Sequence, residues 1–172
     1  PFDEVIKRAV SKFVPAEDLV VPYYATDLKD CDRITHIIKM SENDILKKQR
    51  AGFYREVDIL PSRSDDSDVQ DKYNQIEGTS DTDDRDYQFN ILEMHIDLDL
   101  EEYEVDEDLK NIKVPYIVTI DEGSQEILSI YRNYKPTDET FKRKDFFVHF
   151  KFLPGLGFYG FGLIHMIGFF FF

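Results

Sequence analysis

The chain has no tryptophan and only one cysteine, Cys31. A single thiol excludes an intramolecular disulfide and makes a thiolate zinc cage a poor expectation. A reducing cytoplasm is the expected place of synthesis. Positive charge is also scarce: 21 Lys and Arg stand against 35 Asp and Glu, a formal net charge of -14. That balance argues against a basic nucleic-acid clamp, which neutralises phosphates with Lys and Arg. It remains compatible with a surface that DNA slides past without sticking, since like charges repel within about 10 Å before salt screens them. An unbroken apolar run of membrane-spanning length is missing too. The apolar stretch from Phe146 to Phe172 is interrupted by His149, Lys151, Pro154, His165 and four glycines before Ile164. A membrane helix needs roughly 20 mostly apolar residues in one run, so this reads as a strand, a turn and the start of a helix. No signal-peptide pattern follows Pro1, and the chain reads as a piece of a longer protein. No repeat period is apparent.

What is present suits a real core. Hydrophobic residues make up 42% of the 172 residues, with Phe and Tyr supplying all the aromatics. This is enough for one domain or two small ones.

The apolar spacing of Phe2, Val5, Ile6, Ala9, Val10 and Phe13 predicts a short amphipathic helix ended by Pro15. Asp18–Tyr24 and Arg33–Met40 are β-rich and are expected to pair across the polar turn Thr26–Asp32. Ser41-Glu42-Asn43-Asp44 predicts a helix start, with Ser41 accepting the amide hydrogen of Asp44. That helix should run to about Ala51, with Gly52 as its left-handed stop.

From Ser62 to Asp86 nine acids face three cations, which predicts a solvated acidic loop. Its acids do not follow the calcium-loop pattern. Leu92, Met94, Ile96, Leu98 and Leu100 alternate with Glu93, His95, Asp97 and Asp99, predicting a strand with one apolar and one polar face. Leu109–Ile112 is a short link. Val114–Ile120, the turn Asp121–Ser124 and Gln125–Tyr131 predict a hairpin. Asn133–Lys144 is a polar connection. Phe146, Val148, Phe150 and Phe152 alternate with Phe147, His149 and Lys151, predicting a last long strand. The sum is an α+β fold with a mixed or antiparallel sheet and short helices. Four parts follow: an N-terminal α/β part (1–60), the acidic insert (61–86), a β-rich part (87–153), and a Gly-rich turn opening a helix (154–172).

Chemistry-bearing patterns are few. Gly155-Leu156-Gly157-Phe158-Tyr159-Gly160 has dinucleotide-site spacing, but Pro154 intervenes, the strand before it alternates with charge, and no βαβ unit follows. A glycine-rich turn anchored by Phe158, Tyr159 and Phe161 is the better reading. His95, Asp97 and Asp99 could hold a divalent metal for hydrolysis, yet they also fit the polar side of an amphipathic strand. His36, His149 and His165 sit in apolar surroundings and read as packed histidines. Cys31 lies between Asp30 and Asp32, which should raise its pKa, the opposite of nucleophile activation. There is no G-x-S-x-G elbow. The basic groups Lys47-Lys48-Arg50 and Lys142-Arg143-Lys144 read as solvated edges or as partners for an acidic neighbour. No catalytic, cofactor or metal residue is assigned, and no cofactor or membrane contact is expected.

Several strings together resemble portal proteins of tailed bacteriophages, of the short-tailed P22-like type. They are Val14-Pro15-Ala16-Glu17-Asp18-Leu19 with Ala25-Thr26-Asp27-Leu28, then Thr35–Asp44 running on to Gly52-Phe53-Tyr54-Arg55. The most specific is Phe147 through Gly168, with Val148-His149-Phe150-Lys151-Phe152 and Pro154–Leu163. The acidic insert has no counterpart in the resemblance. The resemblance implies a non-enzymatic virion subunit at one capsid vertex, assembled as a homo-oligomeric ring, usually a dodecamer. It implies contacts with the major capsid protein and scaffold. Terminase and tail or adaptor proteins would be reached through other parts of the protein. Double-stranded DNA would pass through the channel without sequence readout during packaging and ejection. This chain would be the wing and the entry to the stem. A generic β-rich adaptor module and an acidic metal-dependent hydrolase are the alternative expectations.

Overall fold

A computed structural model describes residues 2–3, 8–62, 89–100, 112–151, 153–155, 157–162 and 167. The elements are β1 (Phe2–Asp3), β2 (Arg8–Ala9), β3 (Leu19–Val20), β4 (Arg33–Met40), α1 (Glu42–Arg50), β5 (Phe89–Leu98), β6 (Val114–Asp121) and β7 (Ile127–Arg132). Single 3-10 turns occur at Ala16–Asp18 and Leu28–Asp30. Strands β3 to β7 form one antiparallel sheet in the order β3-β4-β5-β6-β7, so the architecture is α+β. That sheet joins strands from both sides of the acidic insert. Residues 63–86 of the insert, the link over 109–111 and most of the expected C-terminal helix lie outside the described residues. Among the described residues, no helix is long and apolar enough to cross a membrane.

The centre of the sheet follows its hydrophobic patterning. β5 pairs with β4 from Met40↔Phe89 to Arg33↔Ile96, and with β6 from Ile91↔Asp121 to Leu98↔Val114. The β6–β7 hairpin carries a register shift at Thr119/Ile120. One face packs Val114, Tyr116 and Val118 with Met94, Ile96 and Leu98 under Tyr134 and Phe141. The other face is also covered, which the sequence did not lead us to expect. There Ile45 of α1, Tyr54, Phe89, Ile91 and Leu128 form a second cluster with Ile38 and Met40. Further along the same face, Ile34 packs with Ala25, Leu28, Cys31 and Phe158. Ile45 and Ile91 are both 0% exposed, each contributing roughly 1.5–3 kcal/mol of burial.

The α1 helix forms as its sequence predicts. Ser41 Oγ accepts from the Asp44 amide at 3.3 Å and donates to Asp44 Oδ2 at 2.9 Å. Acids fill the first turn and Lys47, Lys48 and Arg50 the last, which suits the helix dipole. Gly52, at φ 70°, supplies the left-handed stop. Buried Gln49 then donates to the carbonyls of Arg55 (3.2 Å) and Val57 (2.9 Å), pinning the outgoing chain.

Three expectations are corrected. The predicted helix over Phe2–Phe13 is instead an antiparallel pairing, Phe2↔Ala9 and Asp3↔Arg8. Phe13, at the end of the expected stripe, is 84% exposed, so at that position the stripe meets no surface among the described residues that would stabilise a helix. The partner of β4 is also shorter than Asp18–Tyr24: only Leu19 and Val20 pair, because the chain enters through a 3-10 turn and leaves through the tight turn Pro22–Ala25. The long strand expected from Phe146 does not form either. Its alternation survives over Phe146–Phe150, but among the described residues the segment 145–150 joins no ladder, and one bridge, Leu153↔Phe161, follows.

Candidate functional site

The extended segment 143–151 crosses the face of the sheet that carries α1. A cleft of about 360 Å³ lies beside it, lined by Asp27, Lys29, Ile34, His95, Phe147 and His149 among others. Three kinds of contact hold the segment down.

At its start, Arg143 forks onto two carbonyls, Cys31 O at 2.9 Å and Leu28 O at 3.1 Å. These oxygens belong to the 3-10 turn Leu28–Asp30 and the residue that ends it. A planar guanidinium can bridge both, whereas a lysine ammonium is a single point charge. In the middle, Phe147 stands edge-on to His95 (centroids 5.0 Å) and to His36 (5.9 Å). Downstream, His149 stacks on Phe158 at 4.3 Å. At its end, Lys151 Nζ donates to Thr26 O (2.7 Å) and Gly157 O (3.1 Å).

His95 is 2% exposed, contrary to its expected place on a polar face. The correction has a simple cause: the segment and α1 turn that face into an interior. The Asn133 amide lies 3.4 Å from Nδ1, and Glu93 Oε1 lies 3.2 Å from Nε2. With the amide donating to Nδ1, the ring proton sits on Nε2 and is donated to Glu93. That hydrogen bond holds the Glu93 carboxyl below its ordinary value against the opposing effect of burial. With both nitrogens engaged, His95 has no free lone pair for a metal. Asp97 remains exposed, and Asp99 Oδ1 is buried without a hydrogen-bond partner among the described residues. No three His, Cys, Asp or Glu side chains among the described residues stand together as a cation site.

The thiol of Cys31 donates to Asp27 O at 3.1 Å. Its pKa is raised, chiefly by burial and further by Asp27, Asp30 and Asp32, while Arg143 opposes them. The direction matches the sequence reading, but burial outweighs the carboxylates. Burial also lowers His36 and His149. Lys48 lies 5.1 Å from the ring centroids of both Phe53 and Tyr54, so one of the two basic groups packs against aromatics.

Between Leu153 and Phe161 the chain reverses, and Phe161 N donates to Leu153 O at 3.0 Å. A Cβ at Gly160 would come within 2.6 Å of that same carbonyl, which explains the glycine. Phe158 anchors the turn in the core, but Tyr159 and Phe161 are exposed, so one of three expected anchors packs inward. His165 lies outside the described residues.

Sequence reasoning missed Asn133 and underrated Arg143. Asn133 was read as part of a polar connection and is 1% exposed, and no pattern marks it. Arg143 stood out only as the one arginine between two lysines.

No family model, curated protein or solved structure matches the chain.

Proposed function

We propose that this chain is the wing, with the entry to the stem, of a bacteriophage portal subunit, assembled in a homo-oligomeric ring at the capsid vertex. The reading rests on the combined strings at Val14–Leu19, Thr35–Arg55 and Phe147–Gly168, which resemble that family. One structural observation supports it most directly. Along the segment that leads into the Gly-rich turn, Val148 is 95% and Phe150 85% exposed. Apolar side chains displayed in a row fit a subunit whose surface is covered by neighbours. An acidic exterior fits passage of DNA without adhesion.

The test is the mass and shape of the parent protein, by native mass spectrometry and negative-stain imaging. A closed ring of about a dozen copies with a central hole is the expected result. A monomer at every salt and protein concentration would overturn the reading and favour a β-rich adaptor module instead.

A further inference from the structure

Asn133 is 1% exposed and ties three stretches of the chain together. Its backbone N–H donates to Pro115 O of β6 at 2.8 Å, and its carbonyl accepts from Lys144 N, near the start of the crossing segment, at 2.9 Å. Its side chain reaches His95 of β5. Nδ2 lies 3.4 Å from the ring Nδ1, a long contact, and Oδ1 is buried with no hydrogen-bond partner among the described residues. Buried amide oxygens are rarely left so.

The two ends of a side-chain amide exchange places by a half turn about one bond. Two arrangements therefore compete around His95. In the first the ring is neutral, Nδ2 donates to Nδ1, and Nε2–H donates to Glu93 Oε1, 3.2 Å away. In the second the ring is charged, Nδ1–H donates to Oδ1, and Nε2–H keeps Glu93. Each leaves one end of the amide without a partner among the described residues, so the amide itself favours neither strongly, and a proton on Nδ1 selects between them. The counter-charge is in place, because the hydrogen bond from His95 holds the Glu93 carboxyl below its ordinary value. The Glu93 side chain is 33% exposed, which links the buried ring to solvent.

Other groups face the pair from each side. His36 stands directly opposite Glu93 in the β4–β5 ladder and competes for the same carboxylate, so a charge on either histidine opposes one on the other. Lys48 of α1 also acts on Glu93, and Tyr54 beside it stays neutral, its pKa pushed up to about 12 by burial. Across the cleft, Lys29, Arg143, Lys144 and a charged His149 oppose a charge on His95, while Asp27 and Asp145 favour it. On β5 Asp97 favours it too, and the β6 residue opposite His95 is the uncharged Ile117.

We propose that His95 is a buried proton switch: a proton taken up at Nδ1 turns the Asn133 amide over and replaces a long neutral contact with a charge-assisted hydrogen bond. Such bonds are shorter and stronger than neutral ones. Asn133 is thereby drawn toward β5, and with it the carbonyl that holds Lys144. Acid thus tightens the footing of the crossing segment at this end. The switch does not depend on the ring assembly proposed above.

Nitrogen-15 NMR of the full chain, titrated downward in pH as far as the fold persists, tests it. Long-range proton–nitrogen correlations show which ring nitrogen of His95 carries a proton. The expected result is a proton on Nε2 alone at the start and on both nitrogens later, with the Asn133 side-chain amide signals moving at the same midpoint. Exchange of the Lys144 amide, corrected for its intrinsic pH dependence, should slow through that midpoint. Asn133→Asp supplies a permanent acceptor and should strengthen proton binding at His95 about tenfold or more. Glu93→Gln removes the counter-charge and should weaken it. The wild-type spectra decide the matter even if a variant fails to fold. A neutral ring with its proton on Nδ1 would overturn the switch, as would a His95 that takes no second proton before unfolding. Titration of His95 with the Asn133 amide signals unmoved, faster exchange at Lys144, or an unchanged midpoint in folded Asn133→Asp would do the same.

Discussion

Phe147 meets His95 edge-on, with ring centroids 5.0 Å apart and planes at 74°. The contact joins a segment that has no ladder among the described residues to the central strand of the sheet. His95 is fixed from behind by Glu93 and Asn133, so the ring that Phe147 rests on is itself held in place.

Phe147→Ala should therefore destabilise the fold by about 2 kcal/mol, below the range for fully buried phenylalanines because this one is only half-buried. Urea denaturation followed by far-UV circular dichroism measures it. Phe150→Ser is the control, expected within about 0.5 kcal/mol of wild type for an exposed side chain. Equal losses in the two variants would mean that the alternation of inward and outward residues is wrong.

Arg143 makes a second prediction. Its guanidinium satisfies the carbonyls of Leu28 and Cys31, and the side chain is mostly buried. Arg143→Lys keeps the charge but loses the fork, and should cost about 1–2 kcal/mol. The local readout is Cys31, the only thiol. Buried and with its pKa raised, it should react faster with a thiol reagent once the turn over 28–31 loosens. An unchanged labelling rate would show that Arg143 does not hold that turn.

These two residues mark where the sequence was readable. The Ser41 cap and the β6–β7 hairpin are local patterns, and each formed as expected, as did β5 itself, though not the solvent face expected for it. The alternation over Phe146–Phe150 was visible as well, but alternation states only that a segment is extended. Whether it finds a ladder depends on residues far away in sequence. The same holds for His95. Its polar neighbours Glu93 and Asp97 suggested a solvent face, and nothing in β5 announces that α1 and Phe147 will cover it. The helix expected over Phe2–Phe13 failed for a related reason: its spacing describes a stripe, and a stripe stabilises a helix only where a partner surface exists. For the candidate site, Cys31 was legible as a poor nucleophile, whereas the Asn133–His95–Glu93 chain joins β5 to a residue 38 positions further along the sequence.

Glycines offer a third prediction, because two of them differ sharply in what surrounds them. A Cβ at Gly123 would collide with the Leu60 carbonyl. That strand of backbone cannot yield freely, since Leu60 N donates to fully buried Asp121 Oδ2 at 3.2 Å and Asn90 N donates to Ser62 Oγ at 2.9 Å. Gly52 has nothing within 4 Å of the equivalent position, and only its φ of 70° disfavours a side chain. Gly52→Ala should cost about 1–2 kcal/mol, and Gly123→Ala clearly more. Paired urea midpoints decide it, and a reversed order would place the 60–62 segment elsewhere.

Acidification makes the last. The described histidines all touch phenylalanines of the crossing segment or its turn: His36 and His95 meet Phe147, and His149 meets Phe158. Burial is the main cause of lowered pKa values at His36 and His149, each below the ordinary 6.5. Around His36, Glu93 and Asp18 favour the charged form while Lys12 and His95 oppose it. Around His149, Asp27 favours it and Lys151 opposes it. A folded-state pKa below the unfolded one means that the unfolded chain binds the proton more readily. The stability from these two groups is therefore complete above about pH 6.5 and declines as pH falls from there through their folded values. Glu93 is a depressed carboxylate, so its share is lost only in a lower window, below about pH 4.5. The urea midpoint should then fall between pH 7.5 and pH 5.0. The double variant His36→Gln, His149→Gln should be less stable at pH 7.5 but show a flatter dependence across that interval. A slope unchanged in the double variant would assign the pH response to other groups and leave these histidines as packing residues alone.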